Sequence, residues 1–388
     1  MSKLGASLLV SAILSQACVG RLEKADTAAV MLGPTVAPVS SVEEALPFSA
    51  GVDRSTPALD EAPVPPAAPP RFSPIASCKD ARKDRGFYGF YRTDAWEDHK
   101  VALTFDDGPH PTATPQVLDL LALERLHATF FVVGRNINRD TYPLVQRMVR
   151  EGHALGSHSY THNVHMTQVG APEATVEEIS GQHVVTAILV DLALMAGSKE
   201  GFDADFDRVF ERDPDVWLTG TTIRKEWRGF ARRHVDLLRD RGFVDGERPY
   251  DLVFSRPPGG GPYVEHDGAA GIALYDRALA QIGMVNVMWH GASGDTVPVK
   301  RSDFHFLTKN MEDATDAGGV VLIHDYMRKD ALQHSLRAIR AGEVEVVGLD
   351  QATVSKYGCG PSALYDFLRG SGPEIAALFG EGREVVLF

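Results

Sequence analysis

From about residue 77 onward, short runs of β-branched and aromatic residues alternate with longer helical runs, and no other feature constrains the fold as much. "KVALTF" (100–105) reads as a strand, and "TPQVLDLLALERL" (114–126) as a helix with Thr114 as its cap and Pro115 in its first turn. "ATFFVV" (128–133) is a second strand, and "TYPLVQRMVREG" (141–152) a second helix closed by Gly152. "HALGSHS", "DLVFSRPP", "MVNVMW" and "GGVVLIHD" follow as strands, with "GIALYDRALAQIG" among the intervening helices. Such alternation calls for an α/β fold: a parallel sheet with right-handed crossovers, left open or closed into a barrel. Periodicity does not choose between those two.

Residues 169–251 are helix-rich. "EATVEEISGQHVVTAILVDLALMAG" reads as a strong helix with a break near Gly181, and "RKEWRGFARRHVDLLRDRG" as a second with a basic, solvated face. "DADFDRVFERDP" spaces Asp203, Asp205 and Asp207 like a calcium loop, but has Arg208 where such loops need Gly and Pro214 where they need Glu. It is no calcium site.

The N-terminus reads as a targeting segment. Lys3 precedes "LGASLLVSAIL", a run too short to span a bilayer and suited to a signal-peptide core. Ser15 and Ala17 suit cleavage before Cys18, and "LSQAC" resembles a bacterial lipoprotein signal in which Cys18 is lipidated; a plain secretory signal is the alternative. The proline-rich stretch to residue 76 blocks helix and sheet ladders, so it reads as a disordered tether. The boundaries expected are therefore a signal over 1–18, a tether over 19–76 and a folded domain over 77–388, with its helical insertion at about 169–251. No segment after the signal reads as a membrane span. In an oxidising compartment Cys78 and Cys359 could pair as a disulfide or stay free thiols. The net charge of -13 lacks the cationic footprint that phosphate backbones select, which argues against nucleic acid as a partner.

The strands end in reactive residues. Asp106 and Asp107 close the first, His158 follows the third, Arg256 ends a later one, and His324 and Asp325 end the last. In parallel sheets that carboxyl edge is where ligands bind. His158 and His162 are four apart, so one turn or a tight loop can aim both imidazoles at one point. Two histidines and one of the two aspartates make an open zinc site; cobalt or nickel fits the same donors. His153 and His165 compete on composition alone.

"TFDDGPHPTATPQVLDLL" resembles the first signature of the polysaccharide deacetylases, carbohydrate esterase family four, also called the NodB-homology domain. "HSYTH" is similar to the second signature, "RPP" to the third, "WHGASGDT" to the fourth and "VVLIHD" to the fifth, in family order between Thr104 and Asp325. The resemblance implies a distorted (β/α) barrel with the helix-rich insertion before the third signature. It implies metal-dependent hydrolysis of an N-acetylated polysaccharide, peptidoglycan or an N-acetylglucosamine polymer, by an exported envelope protein. Carried over, Asp106 is the general base, supported by Arg256, and Asp107 joins His158 and His162 on the metal. Asp295 supports His324, the general acid. Gly259 supplies an oxyanion amide, while Tyr263 and Trp289 contact substrate. Two departures stand out. Gly259, Gly260 and Gly261 separate "RPP" from Tyr263, and Thr296 stands where the family has Trp. An O-acetyl esterase, or a catalytically silent wall-binding lipoprotein, are the alternative readings.

Overall fold

A computed structural model describes residues 89–90, 100–211, 226–244, 247–264, 268–342, 344–349 and 351. The segments expected as signal and tether, with Cys18, Cys78 and Cys359, lie outside the described residues, and with them the lipidation and disulfide expectations.

The strands are β1 (Gly89–Phe90), β2 (Lys100–Asp106), β3 (Thr129–Val132), β4 (Ala154–Ser157), β5 (Phe254–Ser255), β6 (Val285–Val287), β7 (Gly291–Ala292), β8 (Gly319–His324) and β9 (Glu345–Val346). They pair in parallel throughout, in the order β1-β6-β5-β4-β3-β2-β8-β7. β3 pairs with β2 only from Thr104 onward, so β9 takes up Lys100 and Val101 at the start of the same strand. The sheet curls into a distorted, open (β/α) barrel. β2 is buried over the six residues Val101–Asp106, as a parallel strand covered on both faces should be. β5 is only two residues long, so "DLVFSRPP" is mostly extended loop rather than ladder.

The helices are α1 (Ala113–Glu124), α2 (Tyr142–Arg150), α3 (Val176–Met195), α4 (Lys199–Phe210), α5 (Trp227–Asp240), α6 (Gly268–Ile282), α7 (Phe304–Asp316) and α8 (Lys329–Ala341). α3 begins with a side-chain N-cap: the Thr175 hydroxyl accepts from the Glu178 amide at 3.1 Å. Asp203, Asp205 and Asp207 all lie within α4, so a calcium loop is ruled out by the backbone too.

Two local expectations are corrected. Thr114 is not the cap of α1. Position Thr112 precedes the helix, and the Thr114 hydroxyl instead accepts from the His110 amide at 2.7 Å and donates to the buried carboxylate of Asp325. The helix α3 is not broken at Gly181. It runs on for 20 residues, and a Cβ at position 181 would lie 2.6 Å from Trp227 Cδ1. The glycine is there for the close approach of α5, not for a kink.

The reading that no segment after the signal could span a membrane is also corrected. By length and composition α3 could, but 89% of its apolar window is buried within the protein. Its place in the fold explains this. β4 and β5 are parallel neighbours, so the chain between them must cross one face of the sheet. α3 makes that crossing, and α4 and α5 extend it. Tyr142 of α2 stacks on Phe202 of α4 at 5.6 Å, and Phe210 meets Phe230 of α5 edge-on at 5.2 Å. The helix-rich stretch therefore shares one hydrophobic core with the barrel. The arginines of its basic face are largely paired: Arg228 with Glu177, Arg233 with Glu211 and Arg241 with Asp205.

Candidate metal and catalytic site

Parallel pairing brings the ends of β2, β4, β5 and β8 to one rim, and the site grows from those ends. In register, Asp106 lies beside His324 and beside Phe131. Asp107 then leaves the strand with φ 74°, a left-handed conformation uncommon for a non-glycine residue. The Asn136 side-chain amide holds that turn by donating to the Asp107 carbonyl at 2.8 Å. Beyond β4, Ser159 (φ 63°) and His162 (φ 57°) are left-handed as well. The His-x-x-x-His spacing is therefore met by a tight loop, not a helical turn. Strained backbone of this kind concentrates where function needs it.

The structure brings Asp107, His158 and His162 together, one ligating atom from each lying within 4.8 Å of the others. Asp107 Oδ1 is 2.9 Å from His162 Nε2 and 3.5 Å from His158 Nε2. His158 Nδ1–H donates to the Arg256 carbonyl at 2.9 Å, which turns the Nε2 lone pair toward Asp107. Burial pushes the His158 pKa below the ordinary imidazole value, which favours the neutral, ligating form. Burial opposes the charge on Asp107, yet the adjoining His162, with His158 and His324, holds its carboxyl well below the usual carboxylate range. Its Oδ1 is buried and makes no well-formed hydrogen bond. A buried carboxylate oxygen without a proper donor, facing two imidazole nitrogens, is the donor set a divalent cation satisfies. His153 and His165 stay out of it. His153 is buried against Phe130 and accepts from the Ala128 amide, and His165 is exposed.

Asp106 is fixed from the other side. Arg256 Nη1 donates to Asp106 Oδ1 at 2.7 Å and to Thr104 Oγ1 at 2.9 Å, while Nε donates to the Val287 carbonyl at 2.8 Å. The guanidinium is fully buried and lies 4.0 Å over the Phe131 ring. That leaves Asp106 Oδ2, 3.6 Å from His158 Nε2, facing the metal ligands. Across the rim, His324 Nδ1–H donates to Asp295 Oδ1 at 2.8 Å, and the His324 amide donates to Asp295 Oδ2 at 2.8 Å. Burial alone would lower the His324 pKa, but the Asp295 hydrogen bond and charge, with Asp106 and Asp107 beyond, push it up to about 9. At neutral pH this imidazole carries a proton it can donate.

Gly259 is exposed, with φ 64°, in the turn Pro258–Gly260. Trp289 is half-buried beside it, 5.7 Å from the Arg256 guanidinium. A Cβ on left-handed Gly260 would strike the Trp289 ring at 2.4 Å, so the extra glycines let the indole close over this loop. The Tyr263 hydroxyl donates to Asp276 Oδ1 on α6 at 2.8 Å, and its ring meets Tyr275 edge-on. The sequence reading missed Asn136, Thr114 and Phe131 as supports of the site. None of the three carries a spacing that would announce it.

A model of the family described as polysaccharide deacetylase matches residues 94–190. Over that stretch the chain is similar to the polysaccharide deacetylases. Over 62 residues it is 52% identical to a peptidoglycan-N-acetylglucosamine deacetylase of Bacillus cereus, a match covering 16% of this chain and 29% of that one. It is also 53% identical over 62 residues to a chitooligosaccharide deacetylase of Sinorhizobium fredii, covering 16% and 28%. The chain thus matches less than a third of the length of these curated relatives. Among solved structures, the Xyl-CE4 domain of a multidomain xylanase from the hindgut metagenome of Trinervitermes trinervoides aligns with a TM-score of 0.43 at 21% identity, covering 68% of this chain and 94% of that one. Polysaccharide deacetylases are generally metal-dependent, and the Asp-His-His cluster is a possible site for the ion. The family match ends inside α3. Arg256, Asp295 and His324 lie beyond it and join the site through the geometry above.

Proposed function

We propose that the protein is a zinc-dependent hydrolase that removes N-acetyl groups from a polysaccharide, peptidoglycan or an N-acetylglucosamine polymer. The observation that carries this reading is the Asp107 Oδ1 atom, buried without a well-formed hydrogen bond between two imidazoles and next to a carboxylate clamped by Arg256. The names of the Bacillus and Sinorhizobium relatives support the substrate class.

Asp107, His158 and His162 would hold the ion, which when bound polarises a carbonyl and lowers the pKa of water. The chain supplies the proton transfers. Asp106 presents Oδ2 to the reacting centre because Arg256 occupies Oδ1, so it accepts the proton of the attacking water. The exposed amide of the Gly259 turn is available to the developing oxyanion; one such donor contributes about 3–4 kcal/mol. His324 then protonates the departing amine, held in its charged form by Asp295. With both proton carriers present and buried at the rim, the arrangement suits turnover rather than passive binding to the wall. Export and lipid anchoring through Cys18 belong to the same proposal, supported by Lys3 and the apolar run that follows it.

The test is acetate release from a panel of acetylated glycans, wild type against Asp106→Asn. The expected result is release from N-acetylglucosamine oligomers and a loss of about 10²–10⁴-fold in the variant, with its metal retained. Release from O-acetylated xylan alone would assign an esterase, and release from nothing would assign the silent reading.

A further inference from the structure

Tyr326 stands out at the rim because an aromatic side chain is held rigidly yet left open. It follows His324 and Asp325 at the end of β8, and 51% of its surface is exposed. One ring face is already used: it lies nearly parallel to the His324 imidazole, with centroids 5.0 Å apart and planes at 20°.

The turn that carries it is pinned at every position around it. The His324 backbone amide is tied to Asp295, and the Asp325 amide donates to the Asp106 carbonyl at 3.3 Å. The Asp325 carboxylate takes the Thr114 hydroxyl, and its carbonyl takes the Lys329 ammonium. The Met327 amide donates to the His324 carbonyl at 3.0 Å, and its side chain is buried. A solvated tyrosine needs none of this support. A ring fixed beforehand loses little freedom when a ligand settles on it, which is how an aromatic surface gains affinity. The ligand is defined by the neighbour: whatever receives the His324 proton must sit beside this ring. Across the same rim Val164 and Val264 are also exposed, and each lies against the Gly259–Gly260 turn.

We propose that Tyr326 is a specificity-determining residue, the platform on whose free face, turned away from His324, the C–H face of a pyranose stacks next along the polysaccharide from the acetamido-bearing sugar that meets His324. This inference rests on the deacetylase reading for the identity of the sugar, but its test does not depend on turnover. Binding of an N-acetylglucosamine pentamer is measured by calorimetry on metal-loaded Asp106→Asn protein, and on the same protein carrying Tyr326→Ala or Tyr326→Phe. The alanine variant should bind about tenfold more weakly, the scale of one stacked aromatic, and phenylalanine within about twofold of tyrosine. In the active enzyme, Tyr326→Ala should raise KM by a similar factor with kcat nearly unchanged. Equal affinity with alanine, an equal loss with phenylalanine, a fall in kcat alone, or no binding by any of the proteins would overturn the platform. If wild type releases no acetate while the alanine effect on binding stands, the deacetylase reading fails and the platform survives.

Discussion

The rim of the barrel and the helical layer behind it both bury charge, but they treat it in opposite ways. In the layer, Asp191 is fully buried and its oxygens are taken up within the protein: Arg248 Nε donates at 3.0 Å, the Tyr250 amide at 3.2 Å, and His234 Nε2 stands 3.3 Å away. At the rim, Asp107 Oδ1, Asp325 Oδ1 and Arg256 Nη2 are buried without a hydrogen-bonding partner. Burying a charge is tolerable only when something compensates it. Around Asp191 the layer compensates from its own residues; the rim leaves the final partner to come from outside.

That contrast can be broken most severely at the proton donor. His324→Gln should cut kcat by about 10²–10⁴-fold while the melting temperature moves little, checked by acetate release and calorimetric melting. In the layer the same kind of change should act on stability instead. Asp191→Ala removes the carboxylate that Arg248 and His234 share and should cost about 3–5 kcal/mol in urea unfolding, with activity per folded molecule preserved. If Asp191→Ala abolished turnover in fully folded protein, the division between the regions would collapse.

A pH profile sharpens the comparison. His324 must carry its proton to act, so activity falls as pH rises through its pKa near 9. Asp295→Asn removes the group that raises it, and the alkaline limb should move down toward the ordinary imidazole value. At pH 8 the expected loss is roughly thirtyfold for a pKa near 6.5, with the acid side spared; an unmoved limb would separate Asp295 from this role. The smallest effect belongs to the surface. Lys199 and Asp140 form an ion pair between largely exposed side chains, and Lys199→Ala should leave the melting curve where it was.

The strands and the reactive residues at their ends were legible because a buried parallel strand is a short continuous apolar run, and what stops such a run is polar. The pair Asp106–Asp107 and the spacing His158–His162 are local, so sequence exposes them. The failures were long-range. Thr114 looks like a cap until the fold brings Asp325, 211 positions away, against its hydroxyl. Gly181 looks like a helix breaker until Trp227 fills the space above it. The length and apolarity of α3 match a membrane helix because full burial asks the same composition of it. Tyr326 has no pattern at all; its exposure and its parallel stack on His324 exist only in three dimensions.

One titration tests the central claim directly: zinc added to chelator-treated protein, followed by calorimetry, for wild type, Asp107→Ala and Asp106→Asn. One tight ion per chain is expected in wild type and in Asp106→Asn, and its loss in Asp107→Ala. Wild-type affinity in the Asp107 variant, or no binding by wild type, would contradict it.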